Sequence, residues 1–233
     1  MARVFAETAR SMANEAGVHR TLERICQLAV ATIPGCQYAS VTLVAGRRVT
    51  AEGATDELAV AVDRIQYEAG EGPCLNAIDT HEVFQSNDLR TEERWPAFAQ
   101  RAAAETGVRS MLCFRLFKRE NTMGALNLFS KSTGAFEGDE EAHEYGAVFA
   151  AHAAVALAGA QDRANLDDAL KTREVIGQAM GLLAGREGVS MDQAFAMLRN
   201  GSQRLNIKLR DVAQQIVDRN TADPPTTPKE PIR

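Results

Sequence analysis

Apolar residues in this chain recur at three- and four-residue steps in some stretches and alternate in others, and the switch between these periods predicts its elements. From residue 1 to about 32, Val4, Phe5, Ala9, Met12, Leu22, Ile25, Leu28 and Ala29 mark an amphipathic helix that Pro34 and Gly35 end. Tyr38–Ala45 and Arg48–Glu52 read as strands of a hairpin turning at Gly46. Leu58, Val62 and Ile65 predict a helix over 55–68, and Gly70-Glu71-Gly72-Pro73 breaks it. Pro73 can open a short helix over Cys74–Asp79, because its missing N–H does no harm in a first turn. A strand at Val83–Gln85 and a helix from Pro96 to Thr106 follow. Two longer strands, Arg109–Lys118 and Thr122–Ser130, turn at Glu120 and Asn121, and from Asp139 the pattern is helical again.

The sharpest pattern lies in Leu166–Val217, which reads as three helices with two short connections. Leu166, Ala169, Arg173, Ile176, Met180 and Leu183 form one stripe, ended by Gly185 and Gly188. Ser190 with Gln193 makes a capping box. Ala194, Met197, Leu198 and Leu205 continue the second helix on one face, and Leu209, Val212, Ala213, Ile216 and Val217 carry the third. About fifty residues bury little apolar surface alone, so such a unit calls for a neighbouring domain or a second copy.

Helix, hairpin, helices, strand, helix, two strands and helix suit an α+β domain, an antiparallel sheet with flanking helices, followed by an all-α unit. The 233 residues are enough for one to two domains. The expected division is 1–160, 161–219 and a tail, 220–233, which holds four of the seven prolines and is expected to be disordered. A net charge of −5 argues against indiscriminate nucleic-acid binding. Residues 1–160 carry 15 basic and 21 acidic side chains, and 161–219 carry 9 and 8, so any such contact must be local to the second unit.

Four cysteines, Cys26, Cys36, Cys74 and Cys113, form no CxxC pair, as expected of reduced thiols. The N-terminal residues lack the charged-then-apolar signature of a signal peptide, and the longest apolar run, around Ala147–Ala158, is too short to span a bilayer. A cytoplasmic protein with no membrane partner is expected.

The chemistry is concentrated at few positions. Arg199, Arg204, Lys208 and Arg210 fall within twelve residues with no acid before Asp211, interleaved with Ser202, Gln203 and Asn206. That mixture suits phosphates and unpaired bases, and it equally suits a solvated face. Asn206 can also be the N-cap of the third helix. Cys74 follows Pro73 at a helix start, where the dipole favours thiolate and redox sensing, unless it is a buried, inert thiol. Trp95, the one tryptophan, is either a lid or a core anchor. His19, His81, His143 and His152 lack metal spacing. Enzymatic function is not expected: there is no phosphate loop, no HExxH and no Ser-His-acid arrangement, and Glu92-Glu93 and Glu140-Glu141 are adjacent pairs whose side chains point apart.

Two resemblances join these signals. Arg173-x-x-Ile176-x-x-Ala179-x-Gly181-x-Leu183, Ala194-Phe195-x-x-Leu198-Arg199 and Ser202-x-x-x-Asn206-x-Lys208-Leu209-Arg210-Asp211-Val212-Ala213 resemble an ANTAR domain, a three-helix module that binds paired RNA hairpins and prevents transcription termination. Met180 stands where the family often has Lys, which shifts the weight of phosphate contact to Arg199–Arg210. The resemblance implies RNA contacts at Arg173, Arg199, Ser202, Gln203, Arg204, Asn206, Lys208 and Arg210. Over residues 20–160, Glu71-Gly72-Pro73-Cys74, Asp88-Leu89-Arg90-Thr91, Arg94-Trp95-Pro96-x-Phe98 and Gly124-Ala125-Leu126-Asn127-Leu128 resemble a GAF domain, with Arg115 where proline is common. GAF domains are sensory modules that hold small ligands between sheet and covering loops, and many dimerise.

The resemblances together imply a signal-responsive antiterminator, a homodimer whose GAF domain senses a small ligand or redox state. Tyr67, Cys74, Trp95, Phe98, Leu112 and Phe114 are its candidate sensing residues, and the sequence names neither the ligand nor a cofactor. A DNA-binding regulator and a dimerisation scaffold are the alternatives.

Overall fold

The structure, a computed structural model, describes residues 7, 10–12, 15, 17–45, 48–80, 83–118, 121–138 and 140–222. The expected helical positions Val4, Phe5 and Ala9, the turn residues Gly46 and Glu120, His81, and the tail from 223 lie outside the described residues. Contacts divide the chain into two compact units, residues 1–164 and 165–233.

The first unit is built on a five-stranded antiparallel sheet, ordered β2-β1-β5-β4-β3. Its strands are β1 (Tyr38–Ala45), β2 (Arg48–Ala54), β3 (Phe84–Ser86), β4 (Ser110–Lys118) and β5 (Asn121–Ser130). Alternation sorts their side chains into two cores. On one face Val41, Leu112, Phe114, Leu126 and Leu128 pack against α1 (Val18–Thr32) and the first part of α5 (Glu140–Glu187) through Leu22, Ile25, Ala29, Phe149 and Leu157. Gly146 is required there, because a Cβ would collide with the Phe114 ring.

The other face carries Met111, Cys113, Ala125 and Phe129 and is covered by three helices, α2 (Glu57–Ala69), α3 (Pro73–Thr80) and α4 (Pro96–Thr106). Asp56 opens α2 by accepting a hydrogen bond from the Leu58 N–H at 2.8 Å, and Gly70, at φ 69°, ends it. The predicted helix over 96–106 forms at those residues, and the strands match the expected ones within two residues at each end.

In the second unit the C-terminal part of α5, α6 (Met191–Leu205) and α7 (Leu209–Ala222) share a thin core. Ala179, Leu198, Val212 and Ala213 are buried in it, with Ile176, Met180, Leu183, Ile216 and Val217 packed around them. The expected capping box is present: the Gln193 N–H donates to Ser190 Oγ at 3.2 Å, and the Ser190 N–H to Gln193 Oε1 at 2.9 Å. Several expectations need correction. Gly185 does not end its helix; α5 runs through it to Glu187, and Gly188 takes the left-handed conformation at φ 67°. The helical stripe begins too early, since Leu166 is 61% exposed, and Met197 and Leu205 also face outward. The last helix extends to Ala222, past the expected start of the tail at 220.

Candidate ligand pocket and nucleic-acid interface

The interior of the first unit holds an unusual group of polar side chains. Ser40 and Thr42 on β1 and Asn127 on β5 occupy the alternate positions that turn toward α2, with Ser40 opposite Asn127 in the strand register. From α2, Asp63 and Gln66 descend onto them, both completely buried. The Asn127 Nδ2 group donates to Ser40 Oγ (3.2 Å), Thr42 Oγ1 (3.1 Å) and Asp63 Oδ1 (3.0 Å). The Tyr67 hydroxyl lies 2.7 Å from Thr42 Oγ1, and the Cys74 thiol 3.5 Å from the same oxygen. Gln66 closes the group by accepting the Cys74 N–H at 3.0 Å. That bond needs Gly72, because at φ 145° it lets the chain pass where any Cβ would strike the Gln66 side chain.

Two acceptors in this nest have no partner among the described residues: Asp63 Oδ2 and Asn127 Oδ1. Each such buried atom costs about 1–3 kcal/mol, more for a charged group. Burial pushes the Asp63 carboxyl up to about 7, with the Ser40 hydroxyl and the Asn127 amide pulling it partly back.

Of the expected sensing residues, Tyr67 and Cys74 belong to this nest, and Trp95 and Phe98 lie in the core on the same side of the sheet. Trp95 is an anchor there: it is 2% exposed, meets Phe84 edge-on with ring centres 5.9 Å apart, and carries the Arg94 guanidinium over its face at 4.3 Å. Leu112 and Phe114 do not join them. They face α1 and α5 on the other side of β4, because neighbouring strand residues alternate, and Met111 and Cys113 point toward α2, α3 and α4 instead.

Cys74 is not an activated thiol. It is fully buried, its N–H is taken by Gln66, and burial with the nearby Asp63 pushes the thiol up to about 12. Burial raises the Cys113 thiol as well. Sequence reasoning missed Asp63, Asn127, Ser40, Thr42 and Gln66. Their signal was an acid and a polar amide in a helix whose buried face is wider than its aliphatic stripe, and an asparagine within an otherwise apolar strand.

The second constellation is solvent-exposed. Arg173, Arg199, Gln203, Arg204, Lys208 and Arg210 all have exposed side chains. Arg210 forms ion pairs with Asp168 at 3.0 Å and Asp211 at 3.4 Å. Ser202 and Asn206 hold the connection between α6 and α7. The Ser202 hydroxyl donates to the Ile207 carbonyl at 2.6 Å. Asn206 caps the C-terminus of α6 in the left-handed conformation, φ 54°, so it is not the N-cap of the third helix. An asparagine is favoured there because its short polar side chain tolerates that conformation better than most. Among the described residues no group of three or more His, Cys, Asp or Glu side chains could hold a metal, and no helix is long and apolar enough to cross a membrane.

A family model described as a GAF domain matches residues 15–158, and one described as an ANTAR domain matches residues 164–217. Among solved structures, the GAF domain from an Acinetobacter phosphoenolpyruvate-protein phosphotransferase is similar, with a TM-score of 0.54 at 16% identity over 69% of this chain and 93% of that one. The GAF domain of the corresponding Coxiella burnetii protein gives a TM-score of 0.55 at 13% identity, covering 70% and 95%. A free methionine-R-sulfoxide reductase from Neisseria meningitidis, in complex with its substrate, gives 0.52 at 15% identity, covering 69% and 89%. At these identities the likeness is one of fold. No curated protein matches the chain.

Proposed function

The chain belongs to the GAF domain family and joins its GAF domain to an ANTAR domain, the makeup of a signal-sensing regulator that acts by RNA-binding antitermination, and on that premise we propose that a small ligand in the buried nest controls the binding of the second unit to paired RNA hairpins. The observation that carries this reading is the pair of unsatisfied acceptors between sheet and helices, in the region where a GAF domain holds its ligand. Buried acceptors without a partner are rare in folded proteins, and a ligand that donates to those two atoms would remove their cost.

The exposed Arg173, Arg199, Arg204 and Lys208 supply charge for RNA phosphates, and Gln203 a hydrogen-bonding group for hairpin bases. Ser202 and Asn206 shape the turn that presents Lys208. α5 contributes Phe149 and Leu157 to the sheet core and Ile176 and Ala179 to the helical core, so one helix supplies both cores. A ligand that favours one state of the first unit thereby shifts the population of states in which the second binds. A homodimer would engage two hairpins at once, with a gain in avidity from linkage alone. We read the protein as a binding regulator without a catalytic step; the thiols near the nest are held protonated, which suits that reading.

Fluorescence anisotropy with the full chain tests this on three nucleic acids, paired-hairpin RNA, single-hairpin RNA and duplex DNA, across a salt series. Preference for the paired hairpins, with affinity falling as salt rises, is expected. Equal affinity for all three, or a preference for duplex DNA, contradicts it.

A further inference from the structure

We propose that the nest takes the protonated nitrogen head of a small organic cation, an ammonium or guanidinium group, with Asp63 as its counter-ion and Asp63 Oδ2 and Asn127 Oδ1 as its two acceptors. This rests on reading the nest as the ligand site. It adds the chemical class, and the class follows from the inventory of hydrogen bonds.

Most donors of the nest are already committed. The two Asn127 amide hydrogens are shared among Ser40, Thr42 and Asp63 Oδ1, and Gln66 Nε2 reaches the same Asp63 oxygen at 3.4 Å. The Tyr67 and Thr42 hydroxyls share one hydrogen bond, and the Cys74 thiol donates to Thr42. Among the described residues of the nest, two acceptors stay without a partner, and one hydroxyl hydrogen of the Tyr67–Thr42 pair stays free to turn. A ligand that only accepts hydrogen bonds leaves both oxygens unpaired, and an anion adds repulsion from Asp63. A neutral donor fits the site while Asp63 is protonated, but above about pH 7 it leaves a buried carboxylate without an opposite charge, a costly arrangement in an apolar interior. A protonated amine or guanidinium answers both needs, with several N–H donors and one positive charge.

Among the described residues, no positive side chain competes for the place. The titratable groups that act electrostatically with Asp63 are Tyr67 on its own helix, Cys74 on α3, Cys113 on β4 and Cys26 on α1, none of them cationic. All four are pushed upward by burial and are neutral at physiological pH. α3 covers the nest through Cys74, and the turn leading into it contains Gly70 and Gly72, at φ 69° and 145°. Because Asp63 and Asn127 are fully buried, entry of a ligand requires α3 to move, and those glycines are where its backbone can turn.

Binding of a cation requires the Asp63 carboxylate, so it expels the proton that the empty site holds at lower pH. Affinity should therefore rise about ten-fold between pH 6 and pH 8, as the carboxyl with a value near 7 ionises.

The test is a ligand titration of the full chain, read by the Asn127 side-chain amide signals in NMR and by Trp95 fluorescence, at constant potassium chloride. The probes are n-butylammonium and n-butylguanidinium, with butyramide as neutral and butyrate as anionic counterparts of the same length. The cationic probes are expected to move the Asn127 signals, about ten-fold more tightly at pH 8 than at pH 6, and to lose the effect in Asp63→Asn. Because the Asp63→Asn chain keeps the shape of the site, its own Asn127 signals and Trp95 emission show that it is folded. Movement of the Asn127 signals by butyramide or butyrate in preference to the cations overturns the charge class and leaves the nest as a ligand site. Cation binding that is unchanged in Asp63→Asn or independent of pH overturns the role of Asp63. Failure of every probe to move Asn127 overturns the cation proposal, and the hairpin-binding assay then stands as the separate test of the regulator itself.

Discussion

The two polar constellations of this protein obey opposite economies. In the first unit, Asp63, Asn127, Ser40 and Thr42 are buried completely, and two of their oxygens have no partner among the described residues. In the second, Arg173, Arg199, Arg204 and Lys208 sit in water, where a charge costs almost nothing to keep. A buried polar group must be justified by structure or by a ligand, whereas an exposed basic run costs little and needs neither. The same substitution logic therefore reads out differently. Changes in the nest should move stability and its pH dependence, and changes in the basic segment should move nucleic-acid affinity alone.

The sharpest way to break that contrast is to remove the thin core beneath the basic segment. Leu198→Ala truncates one of the four buried side chains of that core and should cost about 2–5 kcal/mol. Circular dichroism should show early loss of helix, while the emission of Trp95, the one tryptophan and a residue of the first unit, follows the wild type. Simultaneous loss of both signals would show that the two regions do not differ in this way.

The next effect concerns the nest. Folding raises the Asp63 carboxyl from 3.8 to about 7. Between those values the folded chain keeps a proton that the unfolded chain has lost, so stability falls as pH climbs from about 4 and the loss is complete somewhat above 7. Its ceiling is on the order of 4 kcal/mol. Asp63→Asn should flatten this slope, melting well above the wild type at pH 8 and close to it at pH 4.5. Parallel melting-temperature profiles for the two proteins would remove Asp63 from the explanation.

A smaller effect is expected at the exposed face. Lys208→Glu should weaken paired-hairpin RNA binding roughly ten-fold at low salt and reduce the salt slope by about 0.7 for each phosphate that the side chain no longer neutralises. The melting temperature should stay within a degree or two of the wild type. An unchanged salt slope would make Lys208 a bystander.

Smallest is the turn. Asn206→Ala forces a Cβ residue with no compensating side chain into φ 54°, which should cost about 1 kcal/mol, whereas Asn206→Gly should be close to neutral. If the glycine variant folds normally and still loses RNA affinity, Asn206 contacts RNA as well as capping α6.

Periodicity carries most of the fold. The helix over 96–106, the capping box at Ser190 and Gln193, and the apolar positions of α7 are legible because local rules set them, without reference to distant residues. The exposed arginines are legible for the same reason, as charge spacing is a property of the chain itself. Leu112 and Phe114 lie on the opposite side of the sheet from Tyr67 and Cys74, because the parity of a strand fixes which residues share a face, while only the packed layers fix which face holds the polar nest. Cys74 departs from expectation because a helix start favours thiolate, and complete burial outweighs that dipole. Asp63 and Asn127 stand 64 residues apart in sequence, and nothing local to either announces the 3.0 Å hydrogen bond between them.

Single-round transcription through a terminator preceded by two hairpins decides most directly whether this chain is an antiterminator. Added full-length protein should raise readthrough in a dose-dependent way, and Lys208→Glu should raise the dose required about ten-fold while remaining folded. Readthrough that stays at the protein-free level with well-folded protein, at salt low enough for RNA binding and with the cationic probe both present and absent, would contradict that function.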